Sequence, residues 1–100
     1  MSKINLLDKA KNLPIAWKSE ILSTVSGANF KVLKMDAQAY PNEVHSFDEV
    51  LLVLDGQMNL RFADEQVQVN AGEAYIVPAG VPHAVASDSF GTLIIIDQME

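Results

Sequence analysis

The sequence predicts an all-β protein, a single barrel or jelly roll preceded by a short helical segment. Short segments with apolar residues recur along the chain, and glycine, proline, asparagine or aspartate separates them at regular spacing. Only the first segment has a helical pattern, which argues against an α-rich fold. With 100 residues, of which 49% are hydrophobic, the chain is predicted to form one domain spanning residues 1–100 around one core.

The N-terminal part predicts a short helix and then a β-hairpin. Residues 4–11 carry apolar side chains at helical spacing over about two turns, and Pro14 ends the pattern. Residues 17–23 and 29–36 are predicted strands, joined by a turn at residues 26–29 that contains Gly27. A second turn is predicted at residues 40–42, around Pro41.

The second half predicts a series of further strands. Residues 49–54 form an apolar run that ends at Asp55-Gly56, which indicates a hairpin with residues 57–62 as the antiparallel partner. The remaining predicted strands are residues 65–69, 74–77, 83–87 and 91–97. A proline-braced loop at residues 78–82 precedes His83.

Composition excludes several classes of function. The formal charge is −6 and no basic stripe is present, so neither nucleic acid nor an anionic membrane surface is expected as a partner. The chain has no cysteine, which excludes disulfides and thiolate metal sites. The longest apolar runs are too short to span a bilayer, and the charged residues among the first thirteen exclude a secretory segment. We therefore expect a cytoplasmic protein.

Both histidines of the chain lie near carboxylates or at a turn. Glu43, His45 and Glu49 are separated by even steps, so on one extended strand they would share a face. His83 could join them from a later strand. Two imidazoles with one or two carboxylates suit Mn, Fe, Ni, Co or Zn. A single strand histidine is more often an ordinary core or surface residue, so the residues alone leave both interpretations open.

The spacing of these residues resembles the two motifs of the cupin superfamily. The first family motif is His-x-His, three or four residues, Glu, six residues and Gly, and residues 40–56 contain Glu43-Val44-His45, Glu49 and Gly56 at that spacing. The second is Gly, five residues, Pro-x-Gly, two residues, His, three residues and Asn. Residues 72–87 match it at four positions and have Ser87 in place of the asparagine; the matching residues are Gly72, Pro78, Gly80 and His83.

This resemblance implies a cupin barrel with a divalent metal ion held by His45, Glu49 and His83. Glu43 stands where the family usually has histidine, and a carboxylate there would favour harder ions such as Mn or Fe(II). An alternative alignment makes His45 the first histidine of the motif and Phe47 a lost second one, but it needs a gap. A degenerate site that holds no metal is a further alternative.

The small, single-domain cupins similar to mannose-6-phosphate isomerase resemble this chain most. They imply a small polar molecule as the ligand, and the candidate pocket residues are Tyr40, Phe47, Tyr75 and Ser87. If the protein is an enzyme, the resemblance implies an oxygenase, isomerase or decarboxylase. The alternative is a non-catalytic module that binds a sugar-like ligand. Small cupins commonly pair through edge strands, so a homodimer is expected.

Overall fold

The structure, a computed structural model, describes residues 2–98 and confirms the all-β prediction. Within this range the chain forms one short helix and a curled antiparallel sheet of eight strands, ordered β1-β2-β8-β4-β7-β3, with β5 and β6 also paired to β4. The elements are α1 (Leu6–Lys11), β1 (Glu20–Val25), β2 (Ala28–Asp36), β3 (Tyr40–Glu43), β4 (Glu49–Arg61), β5 (Gln66–Asn70), β6 (Ala74–Val77), β7 (His83–Val85) and β8 (Phe90–Asp97).

The hairpin predicted at Asp55-Gly56 is wrong, because β4 runs through these two residues without turning. The pairing of β4 with β8 shifts register between Val53 and Asp55, so a β-bulge with Leu54 as its extra residue lies directly before the dipeptide. Gly56 has a φ of 82°. A Cβ atom at Gly56 would overlap the carbonyl oxygen of Phe90, so only glycine allows the two strands to approach here.

The bulge keeps both halves of β4 facing the same core. Before the bulge, the odd-numbered Leu51 and Val53 are buried in the main hydrophobic cluster. After the bulge, the even-numbered Met58 and Leu60 are buried in the same cluster. A strand without an extra residue would have turned Met58 and Leu60 to the opposite face. The bulge therefore lets a strand of 13 residues, which pairs with β6 and then with β5, contribute to one core along its length.

Strands β2 and β8 have apolar residues on both faces. Leu33 lies in the main cluster inside the curled sheet. Val32 and Ile94 face the other side, where α1 covers them with Ala10. The predicted N-terminal helix is thus present, and it begins at Leu6, where the side chain of Asn5 accepts a hydrogen bond from the Asp8 N–H.

Several predicted boundaries needed correction, and two of them bear on the site. The turn predicted at residues 40–42 is part of β3, an edge strand in which Pro41 is tolerated because edge strands have unpaired N–H positions. The strand predicted to begin at Trp17 begins at Glu20. Trp17 has a φ of 67°, a turn conformation, and its N–H donates to the carbonyl of Lys34. Within residues 2–98, no helix has the length and apolar character needed to cross a membrane.

Candidate metal centre

The candidate metal centre consists of Glu43, His45, Glu49 and His83, which the fold brings together from three strands and a loop. Glu43 ends β3 and is paired with His83, the first residue of β7. Glu49 is the first residue of β4, and His45 lies in the loop of residues 44–48. The expectation that Glu43, His45 and Glu49 share one strand is therefore wrong, because the chain leaves the sheet between Glu43 and Glu49.

The loop that carries His45 is tied to the loop that precedes His83. The N–H of Gly80 donates to the carbonyl oxygen of His45 at 2.8 Å, and the N–H of Ala79 donates to a carboxylate oxygen of Asp48 at 2.9 Å. These bonds fix the backbone on both sides of the site. The two motifs therefore hold each other in position, and Asp48 acts in the loop contact.

The Nε2 atoms of both histidines lie within a few ångströms of carboxylate oxygens. Nε2 of His83 is 3.2 Å from Oε1 of Glu49, while Nε2 of His45 is 3.8 Å from Oε2 of Glu49 and 3.5 Å from Oε2 of Glu43. One ligand atom each from Glu43, His45 and His83 forms a set in which all separations are within 4.8 Å. Glu49 and His83 are buried, with 5% and 4% of their surface exposed.

The environment of His83 determines which of its nitrogens faces the site. Nδ1 lies 3.0 Å from the carbonyl oxygen of Val81, which can only accept, so Nδ1 carries a proton. In a neutral ring, the lone pair of Nε2 would then face the carboxylate of Glu49, so either a proton or a metal cation is needed between them. The hydrogen bond to Glu49 raises the pKa of His83; burial opposes this effect, and the Val81 carbonyl adds to it.

The donor set fits a divalent transition metal. Imidazole nitrogen and carboxylate oxygen together suit Mn, Fe, Co, Ni and Zn. A ligating histidine commonly donates its other N–H to a backbone carbonyl, as His83 does to Val81. The carboxylate of Glu49, with 7% of its side chain exposed, also requires a compensating positive charge, which a metal ion would supply.

A cavity of about 140 Å³ lies beside the centre, inside the curled sheet. Its wall includes all four residues of the centre and apolar side chains such as Leu51 and Met58. The cavity is smaller than the roughly 300–1,000 Å³ of pockets that take drug-sized ligands. It is therefore suited to a molecule of a few heavy atoms.

The four predicted pocket residues lie in different places. Tyr40 lines the cavity. Phe47 stacks on the ring of His45, with centroids 5.1 Å apart, and lines a hollow next to the cavity. Tyr75 packs against Phe62 at 5.3 Å, and the carbonyl of Ser87 accepts a hydrogen bond from the Asn59 side chain. Neither Tyr75 nor Ser87 contributes to the cavity wall, so their role in the pocket stays a prediction.

Several residues of the cavity wall were not predicted from the sequence, and Trp17, Lys31 and Asp97 are among them. Lys31 shares its strand face with Leu33, a member of the main cluster, so the alternation along β2 already placed it inward. Trp17 gave no such signal, because its position depends on a turn. Its ring stacks on Tyr40 and its Nε1–H donates to Asp36.

Comparison with known proteins identifies the family. The Cupin domain model (Cupin_2) matches residues 31–98, which include both motifs and the whole candidate metal centre, and the chain belongs to this family. No curated protein matches the sequence at a significant level.

Solved structures of several bacterial proteins share the fold of this chain. A cupin-2 domain protein of Shewanella frigidimarina has a TM-score of 0.87 and 27% identity, over 96% of this chain and 94% of that one. Protein NMB1881 of Neisseria meningitidis has a TM-score of 0.83 and 28% identity, over 98% and 100% of the two chains. A proposed mannose-6-phosphate isomerase of Ralstonia eutropha has a TM-score of 0.80 over 99% and 100%, but its 18% identity indicates a shared fold alone.

Proposed function

We propose that this cupin binds a divalent metal ion through His45, His83, Glu49 and Glu43, and holds a small polar molecule in the adjoining cavity. The observation that carries the proposal is the geometry around His83. Its Nδ1–H is bonded to Val81, and its Nε2 points at Glu49 within a cluster that includes a second imidazole and a second carboxylate. A cation satisfies this arrangement without requiring a charged imidazole.

A bound divalent ion would act as a Lewis acid that polarises an oxygen atom of the ligand. The chain itself supplies the surroundings. The apolar wall, with Leu51 and Met58, excludes water from one side of the ligand, and Tyr40 lies on another. The 140 Å³ of the cavity selects against large substrates. The isomerase name of the Ralstonia eutropha protein suggests one reaction to test, alongside the oxygenase and decarboxylase reactions implied by the family resemblance.

The second candidate is a non-catalytic module that binds a sugar-like ligand without metal. It is favoured by one observation, the 3.2 Å contact between His83 and Glu49, because a protonated imidazole would satisfy the carboxylate without an ion. In this case His45 and Glu43 would contact the ligand by hydrogen bonds.

Elemental analysis of the purified, untagged protein distinguishes the two functions. The native protein should contain close to one equivalent of metal, and His45→Ala and His83→Ala should each lose most of it. Both histidines of the chain lie in the site, so the matched control is Glu65→Gln, an exposed carboxylate outside the centre that should keep its metal. Circular dichroism should show that all three variants remain folded.

Full metal occupancy in His83→Ala would show that the ligand assignment is wrong. A native protein that stays free of metal after incubation with Mn, Fe(II), Co, Ni and Zn salts would favour the binding module instead.

We also propose that two copies of the chain pair through β1. This strand lies at one end of the sheet order and exposes the apolar side chains of Ile21 and Val25. Light scattering after gel filtration should give the mass of a dimer, and Val25→Lys should shift it towards the monomer. A monomeric mass at high micromolar concentration would contradict the pairing. A cytoplasmic location stays a prediction from the sequence.

A further inference from the structure

We infer that Lys31 is a ligand-recognition residue, which binds the carboxylate of a small organic acid whose other polar end lies at the metal centre. The inference rests on the proposed metal-binding function and specifies the class of molecule that the cavity takes. It starts from the position of the lysine. Lys31 is on the face of β2 that also carries Leu33, and it is paired with Ile95 of β8; both neighbours belong to the main cluster. Lysine is rare at such inward positions.

The ammonium group of Lys31 is held in place by a buried carboxylate. Its Nζ lies 2.7 Å from Oδ2 of Asp97, whose side chain is 6% exposed. The other oxygen of Asp97 accepts a hydrogen bond from Nδ2 of Asn29 at 3.3 Å, and Oδ1 of Asn29 accepts one from Thr24. Each oxygen of Asp97 thus already accepts one hydrogen bond, and the burial of this side chain leaves it little room to contact a ligand itself.

Lys31 has hydrogen-bonding capacity left for a ligand. An ammonium group has three N–H donors. Among residues 2–98, Asp97 is the one acceptor that the Lys31 ammonium contacts. Because lysine can only donate, the ligand atom that it binds must be an acceptor, and a negatively charged oxygen makes the strongest such bond.

The lysine borders both the cavity and a neighbouring hollow. The 140 Å³ cavity and this second hollow, of about 240 Å³ and beside Phe47, share three residues in their walls: His45, Lys31 and Asp97. An imidazole of the metal centre and the lysine therefore line the same space. A ligand with polar groups at both ends can contact the two at once.

The charges around the cavity make the binding of an acid depend on the metal. The wall carries three carboxylates, of Glu43, Glu49 and Asp97, and Lys31 is its only cationic side chain among the described residues. With both histidines neutral the net charge is −2, which repels an anion. A divalent ion brings this charge to zero, so a singly charged acid can enter and bind Lys31.

The test compares an acid with its neutral amide of nearly the same size. Zn(II)-loaded protein is titrated with lactate and with lactamide by calorimetry, and the fluorescence of Trp17, the only tryptophan of the chain and part of the cavity wall, gives a second readout. Lactate should bind more tightly than lactamide, and only to the metal-loaded protein. Glycolate and pyruvate are tested in parallel, because they carry a carboxylate on other small carbon skeletons.

Two variants remove the recognition group. Lys31→Met removes the ammonium group but leaves the carboxylate of Asp97 buried without its cation, which can destabilise the fold. The double variant Lys31→Met/Asp97→Asn removes both charges and avoids this problem. Both should bind lactate about ten- to hundredfold more weakly, the loss expected for a hydrogen bond between charged groups. Both should keep their zinc and their affinity for lactamide. Lys11→Met, which removes an exposed charge from α1, is the matched control and should bind as the native protein does.

Several results would overturn the inference while the metal site stands. These are unchanged lactate affinity in a zinc-loaded double variant, equal binding of lactate and lactamide by the native protein, and no binding of lactate, glycolate or pyruvate. Equally tight lactate binding without zinc would also overturn it. Loss of zinc from the native protein would instead contradict the proposed function, and metal analysis of the same samples separates that failure from the others.

Discussion

Replacement of Gly56 by alanine should destabilise the protein far more than the same change at Gly72. Both glycines have positive φ, 82° and 86°, so in each case alanine has to adopt a left-handed conformation. They differ in their surroundings. A Cβ at Gly72 meets nothing within 4 Å, whereas a Cβ at Gly56 overlaps the backbone of Phe90 on the neighbouring strand.

The magnitudes follow from this difference. The left-handed conformation costs about 1–2 kcal/mol for a residue with a Cβ, and this is the whole effect expected for Gly72→Ala. At Gly56 the strands must also separate, which weakens the pairing of Gly56 with Gly91 and of Asp55 with Thr92. Two ladder hydrogen bonds at about 0.5–1.5 kcal/mol each bring the expected loss for Gly56→Ala to about 2–5 kcal/mol.

Urea denaturation followed by circular dichroism measures both losses. Gly91→Ala is a second test of the same contact, because its Cβ would overlap the carbonyl of Asp55, and it should be destabilised to a similar degree as Gly56→Ala. Equal free energies of unfolding for Gly56→Ala and Gly72→Ala would refute the reasoning. That result would mean that Asp55-Gly56 is an open turn, with no strand packed against it.

Further predictions concern the centre and its support. In metal-free protein the raised pKa of His83 means that its charged pair with Glu49 stabilises the fold fully below about pH 6.5, the unfolded pKa, and that this contribution is lost as the pH rises through the folded pKa. Glu49→Gln should therefore flatten the profile of unfolding free energy against pH, and an unchanged profile would contradict this pairing. Glu43→Gln should lower metal content less than His45→Ala if Glu43 is a substitute ligand or a bystander; equal losses in elemental analysis would make it a full ligand. Asn59→Ala should cost about 1–3 kcal/mol in thermal or urea unfolding, because it removes the part-buried hydrogen bonds that the side-chain amide donates to the carbonyls of Ser87 and Asp88, yet metal content should stay the same.

Local signals predicted much of the second motif and of the secondary structure. Gly80 has a positive φ in the loop before His83, and Gly72 has one in the turn before β6. Both stand at glycine positions of the family motif, where a positive φ is expected. These positions depend on the conformation of a few neighbouring residues, so the sequence can specify them without knowledge of the rest of the fold. The short helix over α1 was predictable for the same reason, since its capping and apolar spacing are local properties.

The Asp55-Gly56 dipeptide shows where local signals become ambiguous. A tight hairpin and a β-bulge both favour glycine at a positive φ, so the sequence is equally suited to either. The choice depends on β8, which is more than thirty residues away and packs against Gly56 through Gly91. Only the assembled sheet decides that β4 continues.

The sequence by itself named the candidate ligands of the site, and the tertiary structure decided how they meet. Glu43, His45, Glu49 and His83 could be named from residue type and spacing, because metal ligands come from a small chemical set. Their convergence required the pairing of β3 with β7 and the contact between two loops. The alternation along β2 places Lys31 inward, but its contact with Asp97 depends on the register of β2 with β8, which no local pattern specifies.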